Sequence, residues 1–292
     1  MIIDSCKGNA KMYDIGIIGN GFVGSAISAG FVLHVNDIFI YDVDPAKSTT
    51  TLQSVLDNSQ FVFVCVPTPM KSKAGGEIDT SILDTVLYKI NRMNRQDNVI
   101  IIKSTIIPGT MERYIEKFPL LNLVFNPEFL TERRARLDFI NASRVVLGGK
   151  DELVNRVEKL YRDRFPVVPI LKTDVATAQF IKYMVNCFFA VKISYMNEIK
   201  QLSDIIGANW NDAIEGFILD GRIGNSHIDV PGHDGDVGFG GKCFPKDINA
   251  LIYKCKQVGV IPHVTEAAWK KNKEVRSDLD WHDIPGAVTE EE

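Results

Sequence analysis

Cysteine is sparse and scattered in this chain. Cys6, Cys65, Cys187, Cys243 and Cys255 form no C-x-x-C pair, and no histidines stand with them at zinc-ligand spacing. That argues against a metal site or a disulfide framework and for a reducing compartment. No stretch is apolar over the length that crosses a bilayer, and no basic stretch followed by an apolar run precedes Tyr13, so the expectation is a cytoplasmic protein without a membrane partner. A basic cluster is missing too. With a net charge of -4 nothing invites nucleic acid, and small diffusible ligands are the expected partners. Internal repeats and low-complexity tracts are absent. Glycine and proline are absent from Thr173 to Ile206, which predicts one helix of about 50 Å, capped by Thr173 or Asp174. A helix of that length bridges domains or forms a dimer interface.

What is present is enough for two domains: 292 residues, of which 45% are hydrophobic. Tyr13 to Ile18 reads as an apolar strand running into Gly19-Asn20-Gly21-Phe22-Val23-Gly24 and then a helix to about Phe31. A second strand, Ile38 to Tyr41, ends at Asp42, 18 residues after Gly24. This is the dinucleotide fingerprint in its required context. Gly19 permits the turn, Gly21 lets a pyrophosphate reach the backbone, Gly24 allows close helix packing, and Asp42 accepts hydrogen bonds from a ribose. Acid rather than arginine at that position favours NAD over NADP. Further apolar runs at Phe61–Val66, Val99–Ile102, Leu121–Phe125, Val145–Leu147 and Val167–Ile170, with helical segments between several of them, predict an α/β fold whose N-terminal part is a Rossmann-like, doubly wound parallel sheet. Ligands of such sheets sit beyond the carboxyl ends of strands. Three of those ends are chemically unusual: Pro67-Thr68-Pro69, Lys103-Ser104-Thr105, and Asn126-Pro127-Glu128-Phe129-Leu130 followed by Glu132. Each is also compatible with plain turn chemistry.

The second part reads as an all-helical domain. One face of the long helix carries Lys182, Asn186, Ala190, Ile193 and Asn197. A surface stripe and a face turned to a polar ligand both fit that pattern. After a helix at Asn209–Leu219, a long loop delivers the chain to Gly238-Phe239-Gly240-Gly241-Lys242-Cys243-Phe244-Pro245-Lys246-Asp247. Proline in a first turn marks a helix start, whose N–H groups together with Lys242 and Lys246 favour Cys243 as a thiolate nucleophile. A buried structural cysteine behind a glycine turn is the alternative. Domain limits are expected at 1–172 for the NAD-binding part, 173–277 for the helical part and 278–292 for a partly docked tail.

Taken together these stretches, with Asn197-Glu198 and Arg222-Ile223-Gly224, resemble the UDP-glucose/GDP-mannose 6-dehydrogenase family, in the family's order from about residue 13 to 276. The resemblance implies a four-electron oxidation of the C6 alcohol of a nucleotide-sugar, UDP-glucose to UDP-glucuronate first among them, using NAD twice. By the same resemblance Cys243 captures the aldehyde as a thiohemiacetal that becomes a thioester, Lys182 and Asn186 stabilise charge at the C6 oxygen, and Asp247 positions or deprotonates a water or the hydroxyl. Glu128, with Thr105 holding the water, assists thioester hydrolysis. Lys47, Thr68, Thr105, Glu132 and Lys246 look like cofactor contacts beside Phe22, Val23 and Asp42. Phe129, Leu130 and Gly240 join Glu128, Lys182 and Asn186 on the substrate side, Arg222 reaches the substrate of a neighbouring subunit, and the long helix makes a homodimer. Acidic sugars for a surface polysaccharide would be the product.

Three departures stand out. Only 18 residues separate Asp42 from Phe61, so one strand-and-helix unit is trimmed. Lys242 stands where the family has serine, in a loop longer than usual. The sequence stops about where the family's C-terminal, nucleotide-binding domain would begin; a short natural form, a truncated chain and a partner-completed enzyme all fit that, and nucleotide identity is the least secure part of the resemblance. Two other readings remain at this point: a two-electron β-hydroxyacid dehydrogenase, which needs no cysteine, and a non-catalytic binder of NAD or nucleotide-sugar.

Overall fold

The computed structural model describes residues 13–73, 75–93 and 97–289; Cys6, the segment before Tyr13 and the acids at 290–292 lie outside the described residues. Two compact units divide the chain, Met1–Pro67 with Ser81–Lys182, and Thr68–Thr80 with Tyr183–Glu292.

In the first unit β1 (Ile15–Ile18) leads into α1 (Phe22–Phe31) and β2 (Ile38–Tyr41). There follow α2 (Leu52–Asn58), β3 (Phe61–Val64), α3 (Ser81–Met93), β4 (Val99–Ile102), α4 (Thr110–Lys117), β5 (Asn122–Phe125), α5 (Ala135–Ile140), β6 (Val145–Gly149), α6 (Asp151–Arg164) and β7 (Ile170–Thr173). The strands form one sheet in the order β2-β1-β3-β4-β5-β6-β7. Successive strand residues alternate between its faces, and both faces are apolar. Ile15, Ile17, Phe61, Phe63, Val99 and Ile101 join one core with α1 and α6. Ile18, Val62, Val64, Ile100 and Ile102 join the other with α2, α3 and α4. Burying each such side chain contributes about 1.5–3 kcal/mol, which is why these runs read as strands without polar alternation.

Between β2 and β3 lie only a 3-10 turn (Pro45–Lys47) and α2, and β2 is the sheet edge among the described residues. Two expectations need correction. The sheet is not wholly parallel, since β6 runs antiparallel to β5, pairing Val124 with Gly149 and Phe125 with Gly148. The intervening α5 is too short for a full crossover and packs on α1, where the Phe139 ring occupies the space a Cβ on Gly30 would need. The last strand lies at Ile170–Thr173 rather than Val167–Ile170. Between Pro166 and Pro169 the backbone bonds away from the sheet, with Val168 N–H donating to Phe165 O (3.4 Å) and Val168 O accepting from Arg162 (2.8 Å). Val167 is 88% exposed, and Pro169 enters the ladder only through its carbonyl, which accepts from Val145 N–H at 2.9 Å.

α7 (Val175–Ile206) starts at Asp174, whose carboxylate accepts from Thr177 N–H (2.8 Å) and Thr177 Oγ1 (2.7 Å), so Asp174 rather than Thr173 is the cap. Its residues up to Lys182 belong to the first unit and the rest to the second. The second unit continues with α8 (Trp210–Ile218), capped by Asn209, then the long loop, α9 (Phe244–Gln257) and α10 (His263–Val275). The segment 68–80 belongs to this unit: Met70 bridges to Ile78 and Val288 and shares a small core with Trp281 and Ala287.

Candidate active site

In the first unit the turn after β1 is shaped for a ligand. Gly19 takes φ +93°, and a Cβ there would meet the Cys65 carbonyl oxygen at 2.7 Å. One on Gly24 would meet the Gly19 oxygen at 2.1 Å, so α1 can lie this close to the turn only with glycine at that place. Gly21 differs: nothing lies within 4 Å of where its Cβ would be. It is also the N-cap of α1 and makes no side-chain cap, so the first-turn N–H groups are left for an anion. Asn20 Nδ2 donates to Lys47 O (2.9 Å), while Asn20 Oδ1 is buried without a hydrogen-bond partner. Asp42 accepts from Asn20 N–H at 2.6 Å and from Asp44 N–H at 2.9 Å, one bond to each carboxylate oxygen. Further lone pairs on both remain for a ribose. Open space above a glycine, an orphaned amide oxygen and a bare helix terminus fit the pyrophosphate and ribose of a dinucleotide.

At the ends of β4 and β5 the same unit holds a buried polar cluster. Glu128 Oε1 pairs with Lys182 Nζ at 2.8 Å, Glu128 Oε2 accepts from Leu130 N–H at 2.7 Å, and Lys182 also donates to the Glu128 carbonyl at 2.6 Å. Both side chains are at most 6% exposed. A buried pair of this kind repays its desolvation only through such added bonds, and it fixes both groups in place. Lys103 lies beside it. Its ammonium donates to Asn126 Oδ1 (3.0 Å) and weakly to Pro127 O (3.5 Å), and burial pulls its pKa down to about 8, against the opposing pull of Cys65 and Glu128. Asn126 Oδ1 also accepts from the Tyr161 hydroxyl at 2.6 Å, and its Nδ2 donates to Val146 O. Thr105 is half-buried just beyond β4.

The second unit assembles the other half of the expected chemistry. Cys243 is the N-cap residue of α9 and makes no side-chain cap. Pro245 sits in the first turn, and Asp247 N–H donates back to the Cys243 carbonyl at 2.9 Å. Asp247 is 1% exposed: one carboxylate oxygen accepts from Asn186 Nδ2 at 2.6 Å, the other from Lys246 Nζ at 2.5 Å. Of the two readings of the α7 stripe, the surface one is excluded, because Lys182, Asn186, Ala190 and Asn197 are all buried.

Models of two domains of one family match this chain: the NAD binding domain of the UDP-glucose/GDP-mannose dehydrogenase family over residues 45–164, and its central domain over 176–274. Together they cover well over half of the sequence. The chain belongs to the UDP-glucose/GDP-mannose dehydrogenase family. It is 37% identical over 237 residues to a UDP-glucose 6-dehydrogenase of Rickettsia bellii, an alignment covering 78% of this chain and 52% of that protein. A solved UDP-glucose dehydrogenase of Pyrobaculum islandicum superposes with a TM-score of 0.79 at 25% identity, covering 91% of this chain and 69% of the other. A 3-hydroxyisobutyrate dehydrogenase of Mycobacterium tuberculosis shares the fold, with a TM-score of 0.73 at 16% identity over 90% of this chain and 93% of its own. The chain spans about half the length of the curated relatives it matches.

Not every residue expected of a UDP-glucose/GDP-mannose dehydrogenase stands free for a ligand. Lys246 is spent on Asp247, and Gly240 is glycine because the Arg276 guanidinium and Asp280 occupy the space of its Cβ. Lys47 pairs with Asp44 at 3.5 Å, Glu132 is exposed in a 3-10 turn, and Thr68 is buried. Phe22, Val23, Phe129 and Leu130 are half-buried. Arg222 is 89% exposed and held by Asp220, with Nε to Oδ1 at 2.9 Å. Sequence reasoning gave no role to Lys103, Asn126 or Tyr161, nor to Asn272 and Arg276. The first two stood in marked strand-end positions, whereas the others lie in helices or at a helix end and carry no local signal. Among the described residues no group of His, Cys, Asp and Glu is placed to hold a metal ion, and no helix is long and apolar enough to cross a membrane.

Proposed function

We propose that this protein oxidises the C6 alcohol of a nucleotide-sugar to the carboxylate, with UDP-glucose to UDP-glucuronate the first reaction to test. The observation that carries this is the arrangement in the second unit, where Cys243 stands at the N-cap of α9 and a buried carboxylate one turn on is bonded to an amide of α7. The glycine turn and Asp42 would hold NAD+, which would supply the hydride acceptor for both oxidations. Cys243 thiolate adds to the aldehyde carbon, and the oxygen takes a proton to give a thiohemiacetal. Loss of a hydride and that proton leaves a thioester. Water then displaces the thiol, releasing the carboxylate. Asp247 moves the proton of the hydroxyl or water, Lys182 and Asn186 oppose oxyanion charge, and Glu128 with Thr105 directs the hydrolytic water.

The proposal includes a homodimer. Phe180, Met184, Phe188, Tyr195, Leu202 and Ile206 make a stripe along α7, each at least half exposed, and a continuous apolar stripe of this length is what a two-fold helix pairing buries. Arg222, projecting from its loop, would then reach the partner's substrate. Among the described residues Cys65, Cys187, Cys243 and Cys255 form no disulfide, which suits the cytoplasm.

The test is NADH formation with UDP-glucose, UDP-N-acetylmannosamine and GDP-mannose in separate assays, beside Cys243→Ala. Two NADH per sugar with one substrate, and no acid from the variant, supports the proposal. One NADH per substrate, insensitive to the substitution, points to the two-electron reaction of the hydroxyacid dehydrogenases. NAD binding without turnover points to a binding protein.

A further inference from the structure

The approach to Cys243 is held at nearly every residue by side chains that are distant in sequence. Gly238 N–H donates to Asn197 Oδ1 at 3.1 Å. Asn272 takes the next residue from both sides, accepting from Phe239 N–H (2.7 Å) and donating to Phe239 O (2.9 Å). Gly241 N–H donates to both oxygens of Asp280, at 3.2 and 3.0 Å. Asp280 in turn lies 3.4 Å from Arg276 Nη2. Arg276, at the end of α10 and only 3% exposed, also pairs with Asp234 (3.0 Å) and Asp236 (3.8 Å) of the long loop, and donates to Asp278 O (2.9 Å). Burial alone would raise the Asp234 carboxyl, but the Asp236 N–H and the guanidinium take it below its ordinary value.

One buried cation thus gathers three carboxylates that repel one another without it. Two come from the loop before the glycines. The third, Asp280, is fixed by its neighbour Trp281, which is buried against Trp269 at 5.3 Å. The Gly240–Gly241 peptide lies against the cation and the third carboxylate, two residues from the sulfur. A Cβ on Gly240 would sit 2.4 Å from Arg276 Nη2 and 2.3 Å from Asp280 Oδ1, so the approach has no slack on that side.

We propose that Arg276 and Asp280 are positioning residues for Cys243: the clamp sets where the thiol stands at the start of α9 and thereby its reactivity. This deepens the proposed function and rests on Cys243 as its nucleophile. Displacing a reacting atom by about 1 Å costs on the order of a hundredfold in rate, so a clamp on the backbone two residues away acts on turnover rather than on binding.

The experiment measures alkylation of Cys243 by iodoacetamide at neutral pH, followed on its peptide by mass spectrometry, in the full chain and in Asp280→Ala, Asp280→Asn and Arg276→Lys. Asp280 is partly exposed, so neither substitution there opens a cavity. Asp280→Ala is expected to slow alkylation roughly tenfold and to lower kcat by a similar factor with KM for NAD unchanged. Asp280→Asn, which keeps an acceptor for Gly241 N–H, is expected to recover part of both. Wild-type or faster alkylation in folded Asp280→Ala overturns the proposal. Should Asp280→Ala fail to fold, unchanged alkylation in both Asp280→Asn and Arg276→Lys overturns it. Alkylation does not depend on the substrate, so a wild-type protein without dehydrogenase activity leaves this test standing.

Discussion

Two glycine-rich segments, Gly19–Gly24 in the first unit and Gly238–Gly241 in the second, use the same residue for opposite ends. At Gly21 the missing side chain leaves open space with a bare helix terminus beside it, so the backbone faces a ligand. At Gly238 and Gly240 the vacated space is filled by the protein itself, by Asn272, Arg276 and Asp280. A glycine motif therefore does not announce a binding cradle. What fills the absent Cβ position decides whether the backbone is being offered or being gripped.

The contrast is broken most strongly by Gly240→Ala. A methyl group there meets two charged groups at 2.3–2.4 Å and is expected to cost about 1–3 kcal/mol in urea unfolding as well as most of the activity. Gly21→Ala should do the reverse. Its φ of -78° suits any residue, so stability should hold, while a methyl group in the ligand's space raises the Kd for NAD on the order of tenfold, about 1.4 kcal/mol, in a fluorescence titration. The smallest effect compares the buried cations of the two units. Arg276 sits among three carboxylates, whereas Lys103 bonds neutral oxygens and titrates near about 8. Unfolded lysine titrates near about 10.4, so between these values the unfolded chain binds more protons and stability rises with pH. From pH 8 to 9 the gain is roughly 1 kcal/mol, and Lys103→Met should flatten it.

The first unit was largely legible because its signals are local. β1, the glycine turn, α1 and β2 follow one another within 30 residues, each carrying its own periodicity or turn chemistry, and β2 and β4 fall on the expected residues. The direction of β6 was not legible, since nothing in Val145–Leu147 says which way the chain returns. The ambiguity at Lys182 and Asn186 had the same origin. Whether such a stripe is wet or buried depends on Glu128, 54 residues away, and Asp247, 61 residues away, and no window on the helix contains either. Arg276 was invisible for that reason too: an arginine after a helix is ordinary until its three aspartates are placed around it.

The assignment of residues 68–80 to the second unit bears on the order of events during synthesis. Asp79 bonds Thr289 across 210 residues of chain, and Met70 shares its small core with Trp281 and Ala287. Met70 therefore leaves the ribosome long before the residues that cover it exist. Loop closure over such a separation is slow, and until it occurs an apolar side chain stays uncovered. The second unit cannot be completed one piece at a time as the chain emerges, and a fragment beginning at Tyr183 would lack one of its own walls.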